Sequence, residues 1–210
     1  MGCVVAANFL APVLMGLGTS LSLIVAIGAQ NAYILKQGII GRFIWPIALF
    51  CIFSDALLIG LGVLGMGALA DSAVWVLEVL RWGGGLFLVV YGLFAARRAL
   101  CPSMLTVTSK ESGPQTLAKA LLLAAAMTYL NPHTYLDTIV FIGGLAAQQG
   151  DSRWFFYAGA VAGSVLWFTF LASCSRFLRS VFANPKAWRV LDAGIAALMF
   201  FLAYQIIFSA

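Results

Sequence analysis

The chain alternates between long apolar runs and short polar interruptions. A membrane-crossing helix needs about 20 mainly apolar residues. Six stretches meet that measure: Leu10–Leu35, Ile44–Met66, Val74–Ala96, Leu117–Leu145, Trp154–Leu178 and Ala187–Phe208. In the bilayer core every backbone polar group must be satisfied internally, which leaves only helices and closed barrels. A barrel would show alternating apolar and polar residues in segments of about ten. The runs here are unbroken and of helical length. The pattern predicts an all-α polytopic membrane protein of about six transmembrane helices, forming one transmembrane domain over residues 1–210. Connections are short except for 97–116, where Pro102, Ser103, Lys110, Glu111, Gly113 and Pro114 predict a flexible polar loop.

Composition agrees with this reading. The chain is 63% hydrophobic and 9% charged, with a mean hydropathy of +1.02. A soluble domain of this length needs more polar surface, so membrane lipids are expected partners. The net charge of +5 is modest. Its basic residues sit in loops rather than along one face, and no nucleic-acid partner is expected. Cys3, Cys51, Cys101 and Cys174 are scattered, so neither a disulfide framework nor a metal site is expected. No cofactor is expected either. The first apolar run continues to full span length without a basic segment before it, unlike a cleavable leader. Ala6 stands where an N-terminal acylation signal would need Ser or Thr.

The basic residues sort by side. Lys36 and Arg42 flank the first connection. Arg97, Arg98, Lys110 and Lys119 flank the middle loop, and Arg176, Arg179, Lys186 and Arg189 flank the fifth connection. Those ten of the twelve basic residues share one side, leaving Arg81 and Arg153 on the other. The positive-inside rule makes the ten-charge side cytoplasmic, with both termini outside.

Three spans before the loop and three after it suggest a duplicated half, about 1–100 and 115–210. Val79-Leu80-Arg81-Trp82-Gly83 resembles Val190-Leu191-Asp192-Ala193-Gly194. Gln30-Asn31-Ala32-Tyr33 in span one resembles Asn131-Pro132-His133-Thr134-Tyr135 in span four. An odd number of spans per half inserts the halves in opposite directions, the inverted repeat common in secondary transporters.

Polar residues within the spans carry the candidate chemistry. A charge at the bilayer centre costs about 2.5–3.5 kcal/mol on insertion scales, so intramembrane acids point to function. Asp55 lies mid-way along span two and Asp137 lies in span four. Both suit binding a cationic substrate, carrying protons, or both. The bland alternative is a protonated carboxyl bonded to a neighbouring helix. Pro132 removes a backbone donor and disfavours helical geometry at Asn131, so span four is expected to break there and free carbonyls for a polar ligand. Gln30 and Asn31 place two amides near the cytoplasmic end of span one, able to donate and accept. They could equally be helix–helix glue. His133, the only histidine, suits a proton relay or a neutral hydrogen-bonded role at the kink. Gly159-Ala160-Val161-Ala162-Gly163 reads as a close-packing face.

Together these residues resemble the LysE/ArgO family of bacterial basic amino-acid exporters over nearly the whole chain. The markers begin with Gly28-Ala29-Gln30-Asn31-Ala32-Tyr33, Lys36-Gln37-Gly38, Ser54-Asp55 and Leu80-Arg81-Trp82-Gly83-Gly84. They continue with Leu130-Asn131-Pro132-His133-Thr134-Tyr135-Leu136-Asp137-Thr138 and Phe141-Ile142-Gly143-Gly144. The resemblance implies export of L-lysine or L-arginine across the inner membrane, coupled to the ion gradient. It also implies a transport site that includes Gln30, Asn31, Asp55, Asn131 and Asp137. The family usually has Pro between the Gly and Gln of its first motif. This chain has Ala29, so span one is expected to be less sharply broken than in relatives.

Rival classes fit less well. An exporter of neutral amino acids or another small solute shares the architecture. Metal export needs clustered ligands, and neither a G-x-S-x-G nucleophile nor an H-E-x-x-H site occurs. An enzyme is therefore not expected. Self-association into a homo-oligomer is left open by the sequence.

Overall fold

The computed structural model describes residues 2–25, 28–66, 74–100, 116–175, 177 and 185–208. The elements in chain order begin with α1 (Gly2–Ile24), α2 (Ala29–Ile40), and α3 (Ile44–Leu61), which continues as a π-helical segment (Gly62–Met66). They go on with α4 (Val74–Leu100), α5 (Leu117–Tyr129), α6 (Pro132–Tyr135), a second π-helical segment (Leu136–Ile142) and α7 (Gly143–Ala147). A 3-10 turn (Gly150–Ser152), α8 (Arg153–Cys174) and α9 (Pro185–Phe208) complete the order. Among the described residues there is no strand.

Four stretches are long and apolar enough to cross a membrane as continuous helices: Ile44–Gly65, Arg81–Leu100, Gly150–Cys174 and Lys186–Phe208. Phe9–Ile24 with Ala29–Ile40 makes a fifth if the interrupted pair is one span. The protein is thus an all-α, multi-pass membrane protein. The expected fourth span is not one helix. Its first piece, α5, has 13 residues, about 20 Å at 1.5 Å per residue. That is shorter than the roughly 30 Å hydrocarbon core.

Several expectations shift. Counted as one span, the interrupted pair reaches Ile40 rather than Leu35, and Gln30 and Asn31 lie in the first turn of α2 instead of near the span's end. An interruption is present at this point: Gly28 is extended, with φ −114° and ψ 172°, and α2 begins after it. Arg97 and Arg98 belong to the last turn of α4 rather than to the polar loop. Thr116 caps α5 by accepting the Lys119 N–H at 3.3 Å. The rest of that loop, with Cys101, Pro102, Lys110, Glu111 and Pro114, lies outside the described residues, as do Arg176 and Arg179.

The chain divides into two compact units, Met1–Ala26 with Cys51–Val76 and His133–Thr169, and Ile27–Phe50 with Leu77–Pro132 and Phe170–Ala210. In the first unit α1 packs on α8. The Phe9 and Phe155 ring centroids are 4.4 Å apart. A Cβ at Gly159 would lie 2.9 Å from the Val13 Cα, and one at Gly163 would lie 3.1 Å from the Ser20 Cβ. The paired numbers rise together, so the two helices run parallel. The G-x-x-x-G run is the close-packing face its spacing suggests, since small residues let helix backbones approach. The two π-helical segments meet in the same way. A Cβ at Gly143 would lie 2.7 Å from the Gly62 carbonyl oxygen, and one at Gly62 would lie 2.8 Å from the Thr138 and Ile139 oxygens. Around this crossing Ile59, Val63, Ile142, Ala146, Phe156 and Ala160 form a buried core. Gly65, at φ +88°, ends the first π-helical segment in a conformation that favours glycine.

In the second unit α4 and α9 pack antiparallel. Arg81 donates from Nε to the Ile206 and Ile207 carbonyls at 3.1 Å, and its Nη2 also reaches Ile207. These carbonyls belong to the last turn of α9, where no intrahelical donor remains and positive charge is favoured. Half-way along, a Cβ at Gly92 would lie 3.0 Å from the Phe200 ring. At the far end Arg189 donates from Nε to the Ala99 carbonyl at 3.1 Å. Tyr33 ties α2 to α5 by donating to the Ala120 carbonyl at 3.0 Å, and Gly38 of α2 packs against Ser175. These contacts gather the end of α2, the end of α4 and the starts of α5 and α9 at one end of the unit, the end on which the basic residues were expected to converge.

Candidate functional site

Asp55 sits on α3, where Phe53 faces outward and Ser54 and Asp55 face the protein. Only 4% of Asp55 is exposed. Its Oδ2 accepts a 2.7 Å hydrogen bond from Ser164 Oγ of α8, and Ser164 is itself fully buried. Tyr157 fixes the next turn by donating to the Ala56 carbonyl at 3.2 Å. Among the described residues no Lys, Arg or His forms an ion pair with Asp55. Burying a charge without a partner is costly, so this carboxyl is stable as a neutral acid or as the partner of an incoming cation.

Asp137 lies in the second π-helical segment and is half-buried. It follows the exposed His133 by four residues, about one turn. Thr138 is held by its hydroxyl, which donates to the Thr134 carbonyl at 2.5 Å. Asp55, Asp137 and His133 fall in the first unit.

Gln30, Asn31, Asn131 and Pro132 fall in the second unit. Gln30 is half-buried, and its shielded Nε2 has no partner among the described residues. Asn31 and Asn131 are also half-buried. The helix does break at Asn131-Pro132. α5 ends at Tyr129, and buried Pro132 opens α6 at the first helical position, where its missing N–H costs nothing. Not every freed carbonyl faces a ligand: the Leu130 oxygen packs against Gly84 of α4.

The sequence reading missed another buried acid. Asp192 of α9 is 1% exposed. Its Oδ1 lies 2.5 Å from Lys36 Nζ and 3.3 and 3.2 Å from Arg98 Nε and Nη2. Lys36, counted above as a loop charge, is fully enclosed. The signal was present, because Asp192 lies inside an expected span like Asp55. It was read only as part of a repeat. Ser164 was missed because a serine beside a G-x-x-x-G run carries no signal of its own.

Comparison with known proteins adds the decisive fact. Residues 21–210 match the family of LysE type translocators. The chain belongs to that family. It is 44% identical over 187 residues to a Mycobacterium tuberculosis protein named "Putative amino-acid transporter Rv0488", covering 89% of this chain and 92% of that one. It is 37% identical to the Klebsiella pneumoniae protein named arginine exporter protein ArgO, over 91% of this chain and 90% of that one. It is 35% identical to the Corynebacterium efficiens protein named lysine exporter LysE, over 91% of this chain and 96% of that one. No solved structure matches the chain. In this LysE-family protein both polar interruptions, before Ala29 and at Asn131-Pro132, coincide with divisions between the compact units.

Proposed function

We propose that the protein exports basic L-amino acids, lysine and/or arginine, from the bacterial cytoplasm across the inner membrane by proton antiport with alternating access. The observation that carries this reading is Asp55, an acid buried in a membrane helix and met by a serine hydroxyl rather than a fixed cation. Such a group exchanges a proton for a cationic cargo without rearranging its surroundings. The names of the relatives, lysine exporter and arginine exporter, support the cargo. The two interrupted spans open the two halves of the expected inverted repeat, and paired interruptions of this kind mark transporter binding sites.

Exporting one positive charge against an inside-negative potential costs about 2.3 kcal/mol per 100 mV. An inward proton offsets that cost. Asp55 and Asp137, deprotonated and open to the cytoplasm, attract the cationic groups. Gln30, Asn31 and Asn131 are assigned to the polar groups of the amino acid, and His133 to proton passage. Opening outward lets external protons neutralise the acids and release the cargo. Both termini lie outside in this scheme.

The test is efflux from proteoliposomes loaded with a panel of labelled amino acids, with and without an inward proton gradient. Lysine or arginine efflux should exceed that of neutral amino acids and rise with the gradient, and Asp55→Asn should abolish it. Wild-type efflux from Asp55→Asn, or a preference for neutral cargo, refutes the reading.

A further inference from the structure

The Lys36–Arg98–Asp192 cluster lies wholly in the second unit and takes no part in the scheme above. Its charges do not balance: two cations share one carboxylate. They also share one oxygen of it, Asp192 Oδ1. Lys36 holds that oxygen at 2.5 Å with its own side chain 2% exposed, so the buried pair is satisfied. Arg98 is held less closely. Its two contacts, at 3.3 and 3.2 Å, are longer than the 2.7–2.9 Å typical of charge-assisted N–H···O bonds. They fall on an oxygen already engaged by Lys36. The Arg98 side chain is 21% exposed, so the surplus positive charge is not fully enclosed. Among the described residues no other acid forms an ion pair with either cation.

A guanidinium fork matches a planar carboxylate in two-point contact. Every α-amino acid carries one, whatever its side chain. We propose that Arg98 binds the α-carboxylate of the exported amino acid, with the Lys36–Asp192 pair fixing the fork from behind. This rests on the reading of the protein as an amino-acid exporter. It names a contact for the carboxylate that every such cargo carries. Lys36 and Asp192 are positioning residues, and Arg98 is the contact.

The test compares an amino acid with its carboxyl-neutral amide. Full-length protein in proteoliposomes is loaded with labelled L-lysine, and unlabelled L-lysine and L-lysinamide compete from the same side. Wild type should prefer lysine over lysinamide by at least tenfold. Arg98→Gln should bring that ratio close to one by raising the KM for lysine while leaving that for lysinamide unchanged. Arg98→Lys, which keeps the charge but loses the fork, should fall between and serves if Arg98→Gln fails to fold. Arg97→Gln, at an exposed neighbour, should leave the ratio intact. A ratio preserved in Arg98→Gln overturns the proposal. So does an equal loss for both compounds, which marks a structural or lipid-phosphate role. Absence of lysine and arginine transport by wild type instead overturns the cargo assignment. The acid–amide comparison is then run on whichever amino acid the panel identifies, and a collapsed ratio in Arg98→Gln still supports the carboxylate site.

Discussion

Neutralising Asp192 should be among the most damaging single changes this chain can undergo. In Asp192→Asn the oxygen 2.5 Å from Lys36 Nζ loses its charge, while Lys36 stays 98% enclosed because its side chain is only 2% exposed. Arg98, at 3.2 Å, loses the same partner but can turn toward its exposed side. The cost therefore falls on Lys36. Removing one partner of a buried ion pair costs about 3–5 kcal/mol, because the other charge is left in a low-dielectric setting. For a chain of this size each kcal/mol moves the midpoint by about 2–4 °C. The expected drop is then on the order of 6–20 °C, read by thermal unfolding of the purified protein in detergent. The same reasoning makes a second, opposite demand. Replacing both partners by apolar residues of similar volume is often neutral or stabilising, so Lys36→Met combined with Asp192→Leu should recover most of the loss. An Asp192→Asn protein that unfolds at the wild-type temperature, or a double variant as weak as the single one, refutes the account of the cluster.

Gly143→Ala puts a methyl 2.7 Å from the Gly62 carbonyl oxygen and should cost about 1–3 kcal/mol by overpacking. In the same thermal assay Gly144→Ala, with nothing within 4 Å of its Cβ, should be silent. Ser164→Ala removes the hydroxyl that donates to Asp55 at 2.7 Å. A hydrogen bond to a charged group is worth about 1.5–3 kcal/mol. Lysine efflux should therefore fall roughly ten- to a hundredfold in vesicles, with Ser164→Thr retaining most of it.

What could be read from the sequence divides along physical lines. Span positions were legible because lipid imposes a one-dimensional rule: about twenty apolar residues in a row. The edges of α3 with its π-helical continuation, and of α9, follow that rule to within two residues. The Asn131-Pro132 break was legible because proline acts through its own covalent geometry. The break before Ala29 carries no proline in this chain; an extended Gly28 precedes α2 there. Side-chain partnerships were not legible. Lys36 and Asp192 are 156 positions apart, and local patterning cannot tell a lysine that folds back into a bundle from one that borders a loop. For Asp55 the unusual depth was legible, whereas its serine partner on another helix was not.

The broken fourth crossing has a consequence for how the chain is made. The stretch from Leu117 to Ala147 presents a 13-residue helix, then Asn131, Pro132, His133 and Asp137, before its apolar character resumes. Leaving the translocon on its own, it would carry an acid and an interrupted backbone into the lipid. Gly84 of α4, which receives the Leu130 carbonyl, is synthesised earlier and is already available when that stretch emerges. The expected order of assembly is therefore sequential, with α4 already in place to receive the interrupted segment at Leu130.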